Sequence, residues 1–449
     1  MEPEPGSEPI SLSSSLHRVL GDLHQHPYPH VPNPPNCKKR ASVALIVRVR
    51  PTFQHWPDSS SAAGARLPDR SLSVQQQLDA FFSQPWVQNG DPEVLFIKRA
   101  SRVGDRWTGH VALPGGKRDP EDADDQAAAV REASEEIGLD LTTDDCICVG
   151  NLPERVVTTS WGSVPLMVLS TFVFLTTRSD SPTLKLQPTE VASTHWVSLR
   201  ALLSPSLRTV EHVDVSARFA KQGGFAKRFV YRSTLGLMRF AAIRLTPTES
   251  LQCSSIPGFV PEDESLSDNR SLIHRWKTWC SKKPTDPGDR GSSLLLWGLT
   301  LGVLTDFLDM LPSSTAVQLW TYPTFTPPDL HLILSIMTYH LRRRNALQAK
   351  SGVRPNDALA ALSVKTETES GHDQNAVGIE GLGVGRYRGS SVKAADGESY
   401  AVGILLKGYY DRLRLAIWVF LVWRLSAGSV AAFYAWKFLQ HRGLTFWRR

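Results

Sequence analysis

Cysteine is scarce in this chain: Cys37, Cys146, Cys148, Cys253 and Cys280 are all that 449 residues contain. Cys146 and Cys148 alternate as on a strand and have no second pair at zinc-like spacing, so neither thiolate metal binding nor a disulfide framework is supported. A reducing compartment follows. No secretory leader is expected in residues 1–38, because the acidic start EPEPGSEP has neither a basic n-region nor an apolar core. Net charge is small for this length, +6 with a pI near 9.0. That suits an anionic substrate or a membrane surface and is too weak to argue for a nucleic-acid partner.

Length alone suggests two or three domains. Pro, Ser and Gly gather in blocks, however, and point to one large folded domain with loops and a separate C-terminal module. Residues 1–38 read as a disordered leader, whose His24, His26 and His30 are not taken as a metal tract. Residues 39–312 read as the folded domain, with loop insertions at 52–74 and 246–291. A helical extension is expected at 313–346, a low-complexity linker at 347–408, an apolar helix at 409–440 and a basic tail at 441–449. Strands are expected at 41–50, 94–97, 146–149 and 165–175, and residues 150–165 read as a loop over a cleft. GLGVG at 381–385 has no strand before it and no helix after it, so a nucleotide-loop reading is refused.

Residues 113–139, LPGGKRDPEDADDQAAAVREASEEIGL, organise the rest. A Pro-Gly-Gly turn leads through acidic residues into a helical run that Gly138 ends. On that helix Glu132, Glu135 and Glu136 stand at i, i+3 and i+4, so three carboxylates project toward a common point. Like charges so close call for a cation among them, and Mg²⁺ or Mn²⁺ prefers such oxygen donors. Val130, Ala133 and Ile137 form a separate apolar stripe able to dock on a sheet. Arg131 adjoins the carboxylates and is expected to orient one of them by a bidentate pair. A row of charges on a helix is ordinarily its solvated face; the turn before it and the order of residues set this one apart.

Residues 131–139, REASEEIGL, resemble the second half of the Nudix box, REUxEExGU with U aliphatic. Asp122 falls where the box has its intermediate glutamate, and Arg131 comes one residue late. That lengthened loop, with PGGKRDPEDADD, looks like the coenzyme A diphosphatase branch of the Nudix hydrolases. The stretch LFIKRASRVGDRWTGHVALPGG at 95–116 is similar to that branch's second signature, with Leu113 in place of Phe. Trp297-Gly298-Leu299-Thr300 resembles the end of that branch's catalytic domain.

The resemblance implies an α/β (α+β) Nudix fold, a mixed sheet sandwiched between helices, and a metal-dependent hydrolase. The implied substrate is coenzyme A or one of its derivatives, cut to 4′-phosphopantetheine and adenosine 3′,5′-bisphosphate. Glu132, Glu136 and then Glu135 are the expected metal ligands. Glu135, Glu132, Arg131 and Glu190, from the closing phrase at 187–199, are the candidate catalytic groups. Gly115, Gly116, Arg99, Arg102 and Arg106 are expected to meet substrate, since arginines fork onto phosphate oxygens. Another nucleoside diphosphate derivative, such as ADP-ribose, NADH or a modified deoxynucleoside triphosphate, is an alternative. A non-catalytic membrane-tethered adaptor is a second.

Residues 415–436, LAIWVFLVWRLSAGSVAAFYAW, are long enough to cross a bilayer, which takes about 20 residues. Arginines flank them and aromatics gather toward their ends. The objection is Arg424 at the centre, which costs about 2.5–3.5 kcal/mol on insertion scales. The expectation is a C-terminally anchored protein with its enzymatic domain on the reducing, cytosolic side.

Overall fold

The computed structural model describes residues 11–35, 37–57, 71–100, 109–159, 164–216, 225–253, 294–311, 320–351, 376–377, 384–385, 405–406 and 408–441. They fall into two units, drawn from Met1–Glu211, Ala241–Thr321 and Val364–Gly403, and from His212–Phe240, Tyr322–Ser363 and Ile404–Arg449.

The first unit opens with helix α1 (Leu12–Gln25), strand β1 (Arg40–Arg50) and helices α2 (Val74–Phe82) and α3 (Pro85–Gln88). Next come β2 (Asp91–Arg99), β3 (Val111–Ala112), β4 (Gly115–Lys117), helix α4 (Asp125–Ile137), β5 (Cys146–Thr159), β6 (Val164–Thr176), β7 (Val191–Ser198) and helix α5 (Leu199–Leu203). Strand β8 (Arg208–Val213), helix α6 (Phe225–Leu235) and β9 (Met238–Arg244) precede β10 (Glu249–Gln252), β11 (Leu295–Trp297) and helix α7 (Gly298–Asp309). Strand β12 (Thr324–Phe325) and helices α8 (Pro328–Ser351) and α9 (Tyr409–His441) follow, and two short strands, Ala376–Val377 and Val384–Gly385, pair within the expected linker.

One mixed sheet runs in the order β10-β7-β2-β1-β6-β5, with β3 added to β2 and β4 to β1. Strand β1 is β-branched and almost wholly buried, as a central strand covered on both faces must be. It pairs parallel with β6 on one side. On the other side it is shared: Val47 to Arg50 pair with β2, while Ala41 to Val43 pair with β4. Strand β2 parts from β1 beyond Val94, and the 113–114 link between β3 and β4 crosses that opening. The Pro114 carbonyl accepts the Ala44 N–H at 2.8 Å there.

Four expectations need correcting. The leader is not disordered where it is described, because Leu16, Val19, Leu20 and Leu23 recur at helical spacing and are buried on one face of α1. Each such side chain contributes about 1.5–3 kcal/mol, enough to offset ordering that composition alone does not register. Residues 150–159 continue β5 rather than forming a loop, with register shifts that absorb the polar positions. The 246–291 insertion contributes an edge strand, since Glu249–Gln252 pairs with β7. Finally, 212–240 belongs with the second unit, where Met238 and Arg239 pair with β12 and α8 packs along α9.

Candidate active site

Helix α4 is fixed at both ends by its own sequence. The Asp124 side chain accepts the Ala127 N–H at 2.7 Å. Gly138, at φ +67°, returns its N–H to the Ser134 carbonyl at 3.0 Å. Ala129, Ala133 and Ile137 face the sheet residues Ala44, Ile46, Leu95 and Ile97. Two alanines on that face let the helix lie close to the sheet. Val130, expected in the stripe, is only partly buried and packs on its flank.

This docking phases the carboxylates. Glu136 is nearly buried, with 2% of its side chain exposed, Glu132 is 14% exposed and Glu135 is 57% exposed. The Gly115 N–H donates to Glu136 Oε2 at 2.8 Å, so the turn and the helix meet at a carboxylate. Gly115 has φ +144°, and a Cβ there would come within 2.3 Å of the Ser42 carbonyl. At Gly116 a Cβ would come within 2.5 Å of the Glu132 carboxylate. Gly115 is therefore required by space and by conformation, whereas a side chain at Gly116 would displace the Glu132 carboxylate.

Arg131 forks onto Asp122, with Nε to Oδ1 and Nη2 to Oδ2 both at 3.0 Å. Its Nη1 donates to Glu132 at 3.2 Å and to Glu135 at 2.9 Å, and Nη2 also reaches the Lys117 carbonyl at 3.1 Å. The bidentate partner is thus Asp122 and not a glutamate, because the lengthened loop folds back beside the helix. Arg131 holds Asp122 below the usual carboxylate range, and Asp122 in turn raises Arg131.

Electrostatics single out Glu136. Burial pushes its carboxyl up to about 7, opposed by the Gly115 hydrogen bond and by Arg99 and reinforced by the charges of Glu132 and Glu190. Burial raises Glu132 as well, against the pull of Arg131. Glu190 acts on both, so it belongs to the same cluster. Its position follows from the helix end: Lys185 and Gln187 donate to the carbonyls of Ile137 and Glu136, and Glu190 N–H closes a turn on Gln187. The Glu190 carbonyl then accepts the Ala100 N–H at 2.8 Å, just past Arg99, whose Nη1 lies 4.0 Å from Glu136 Oε1. Arg102 and Arg106 lie outside the described residues.

Glu132 and Glu136, whose charges act on each other and on Glu190, offer oxygen donors of the kind a hard divalent ion takes, while Glu135 turns its carboxylate to Arg131. Glu132, Glu135 and Glu136 are the residues that would hold it. Another convergence, of His30, Asp125 and Glu154, does not fit one. The Arg40 guanidinium fills it, donating to Asp125 at 2.6 Å and to both Glu154 oxygens at 2.8 Å, while Ser170 bridges the two acids. Arg118 reaches Asp125 from the loop at 3.0 Å, and Glu154 accepts the Val31 N–H at 2.7 Å. Sequence reading missed this network; its only signal was charge at the mouth of an apolar strand.

Residues 85–219 match the NUDIX domain family. An uncharacterized protein of Schizosaccharomyces pombe is 34% identical over 307 residues, covering 67% of this chain and 83% of that protein. The peroxisomal coenzyme A diphosphatase of Mus musculus is 48% identical over 53 residues, covering 12% of this chain and 22% of that enzyme. The mitochondrial coenzyme A diphosphatase of Mus musculus is 46% identical over 52 residues, covering 12% of this chain and 25% of its own length. The match therefore spans no more than a quarter of either diphosphatase. Loop, helix and family match together show that the chain carries a NUDIX domain at residues 85–219, and that domain defines the pyrophosphohydrolase class.

Proposed function

We propose that this chain hydrolyses the diphosphate bond of coenzyme A, releasing 4′-phosphopantetheine and adenosine 3′,5′-bisphosphate with Mg²⁺ or Mn²⁺ as cofactor. The observation that carries the reading is the Glu132–Glu136 pair facing the Gly115-Gly116 turn, with Glu136 raised to about 7 by burial and like charge. A bound divalent ion supplies Lewis acidity toward the diphosphate and lowers the pKa of a water. Glu132, Glu135 and Glu136 are the residues that would hold it. Glu190, whose charge bears on both Glu132 and Glu136, takes the proton of the attacking water. Arg131 keeps Glu132 and Glu135 oriented. Arg99, with Arg102 and Arg106 from the basic loop, binds phosphate, and Gly115 and Gly116 let the backbone approach it. The substrate choice is supported by the short, high-identity matches to the two coenzyme A diphosphatases.

Attachment to a membrane through α9 is part of the same proposal, with the hydrolase on the cytosolic side. Helix α9 has a mean hydropathy of 1.7 over its candidate span, and only 17% of that window is buried. A core helix of a soluble protein would be mostly buried.

The test is a substrate panel on the purified full-length chain, offering coenzyme A, ADP-ribose, NADH and deoxynucleoside triphosphates with Mg²⁺ or Mn²⁺. Coenzyme A is expected to turn over fastest, and Glu136→Gln to reduce its hydrolysis by roughly 10³-fold. Preference for ADP-ribose or NADH would move the substrate within the class. Full activity in Glu136→Gln would remove the site.

A further inference from the structure

Hydropathy centres a membrane span on Arg424; the structure assigns it elsewhere. Resting on the proposed membrane attachment, we infer that the lipid-embedded segment begins at Leu425, and that the Asp329–Arg424 ion pair marks the membrane surface and not its interior.

Helix α9 has two unlike halves. From Tyr409 to Phe420 a stripe of Leu413, Ala416, Ile417 and Phe420 is buried, in the half that runs along α8. Tyr409 Oη donates to the Pro323 carbonyl at 2.5 Å, and Asn345 Nδ2 to the Leu405 carbonyl at 3.0 Å. The paired region closes at Arg424, whose Nε and Nη2 fork onto the two Asp329 oxygens at 2.7 and 3.0 Å. Every residue from 425 to 440 is exposed.

The occupant of that exposed half follows from its composition. Before Lys437, Leu425, Val430, Phe433, Tyr434 and Trp436, with alanines between them, surround the helix, and of the two serines there, Ser426 and Ser429, the second returns its hydroxyl to the Leu425 carbonyl at 2.9 Å. A helix lying in the interface needs a charged face, and one docked in a protein groove needs a single apolar stripe. Apolar residues on all sides suit a solvent that surrounds the helix, which is the bilayer hydrocarbon.

The depth follows from what α8 is tied to. Two residues before α8, the strand pairing of Thr324 and Phe325 with Arg239 and Met238 holds its start, and Thr326 N–H donates to the Leu237 carbonyl at 2.9 Å. Placing Arg424 at mid-bilayer would carry Asp329 and this short open ladder toward hydrocarbon, where exposed strand edges have no partners. Placing the fork at the surface leaves the ladder in water. Residues 425–441 then supply about 17 residues and about 26 Å of helix, the lower limit for crossing, with the stem of Arg424 reaching the near headgroups and the stem of Lys437, inside the far end of that stretch, reaching the far ones. Trp423 on α9 and Leu332 on α8, both exposed, fall beside the fork at headgroup level.

The experiment places single cysteines at Val419, Val422, Val430 and Ala432 of the full-length chain in phosphatidylcholine vesicles. Labelling by a membrane-impermeant maleimide is compared with the same protein in detergent, with the wild-type chain as background. Val419→Cys and Val422→Cys are expected to label within about twofold of their detergent rates, and Val430→Cys and Ala432→Cys at least tenfold more slowly. Equal protection of all four would overturn the surface position while leaving insertion intact. Rapid labelling of all four would overturn insertion and the inference with it. In the double variant Asp329→Leu with Arg424→Leu, protection is expected to spread to Val422→Cys. An unchanged pattern would overturn the role given to the fork.

Discussion

Helix α4 carries acid at both of its ends, and the two ends are built differently. At the N-terminal end Asp125 and Glu154 share the Arg40 guanidinium, with Arg118 and Ser170 completing the contacts. Burial works against the Asp125 charge, yet Arg40 and its other partners hold its carboxyl below the usual range. At the C-terminal end Glu136 is at least as buried, has Arg99 only at 4.0 Å, and is pushed up to about 7. One cluster has its cation built into the chain and its acid held below the usual range; the other, with Arg99 at 4.0 Å, has its acid held above it. A fixed guanidinium makes an acid structural, whereas a missing one leaves it available for chemistry.

The contrast can be broken from either side. Arg40→Met should have the largest effect on folding, destabilising by about 3–5 kcal/mol because two buried acids lose their partner; chemical denaturation reads this, and an unchanged midpoint would deny the network its role. Gly116→Ala drives a methyl against the Glu132 carboxylate and should lower kcat roughly 10–100-fold, with thermal stability changed far less. Steady-state kinetics beside a melting curve separate the two.

The two ends should also respond oppositely to pH. The folded value of Glu136 lies above its unfolded one, so without metal its charge destabilises the fold fully above about pH 7. That penalty is relieved as pH falls through 7 toward 4.5. Glu136→Gln should therefore stabilise the metal-free protein by about 1–3 kcal/mol at pH 8 and by little at pH 5. Asp125 has the reverse sign: its contribution is present above its ordinary carboxylate value and is lost as pH falls through its depressed folded value. The smallest effect is expected for Glu135→Gln. Its carboxylate is more than half exposed and should cost under about tenfold in kcat/KM.

The chemical end of α4 was legible in the sequence because it is local. Turn, helix start, glutamate spacing and Gly138 lie within 27 consecutive residues, and helical geometry does the rest. The structural end was not legible, since Arg40, Asp125, Glu154 and Ser170 come from separate strands and a helix that only the sheet order brings together. The same reason hid α1, whose apolar positions were read as a Pro-rich leader, and the extension of β5 through polar residues. Arg131 shows the intermediate case: its neighbours on the helix were foreseen, and its strongest partner, Asp122, needed the path of the loop. At the C-terminus hydropathy finds the helix, whereas the Asp329–Arg424 pair joins residues 95 apart in the chain and is invisible to it.

The account turns on a divalent ion gathered by the carboxylates at the chemical end of α4. Calorimetric titration of the metal-free, full-length protein with Mn²⁺ at pH 8 tests that most directly. The prediction is saturable binding that weakens at least tenfold in Glu136→Gln and in Glu132→Gln, in line with the loss of a charged ligand. Undiminished Mn²⁺ affinity in both variants would contradict it.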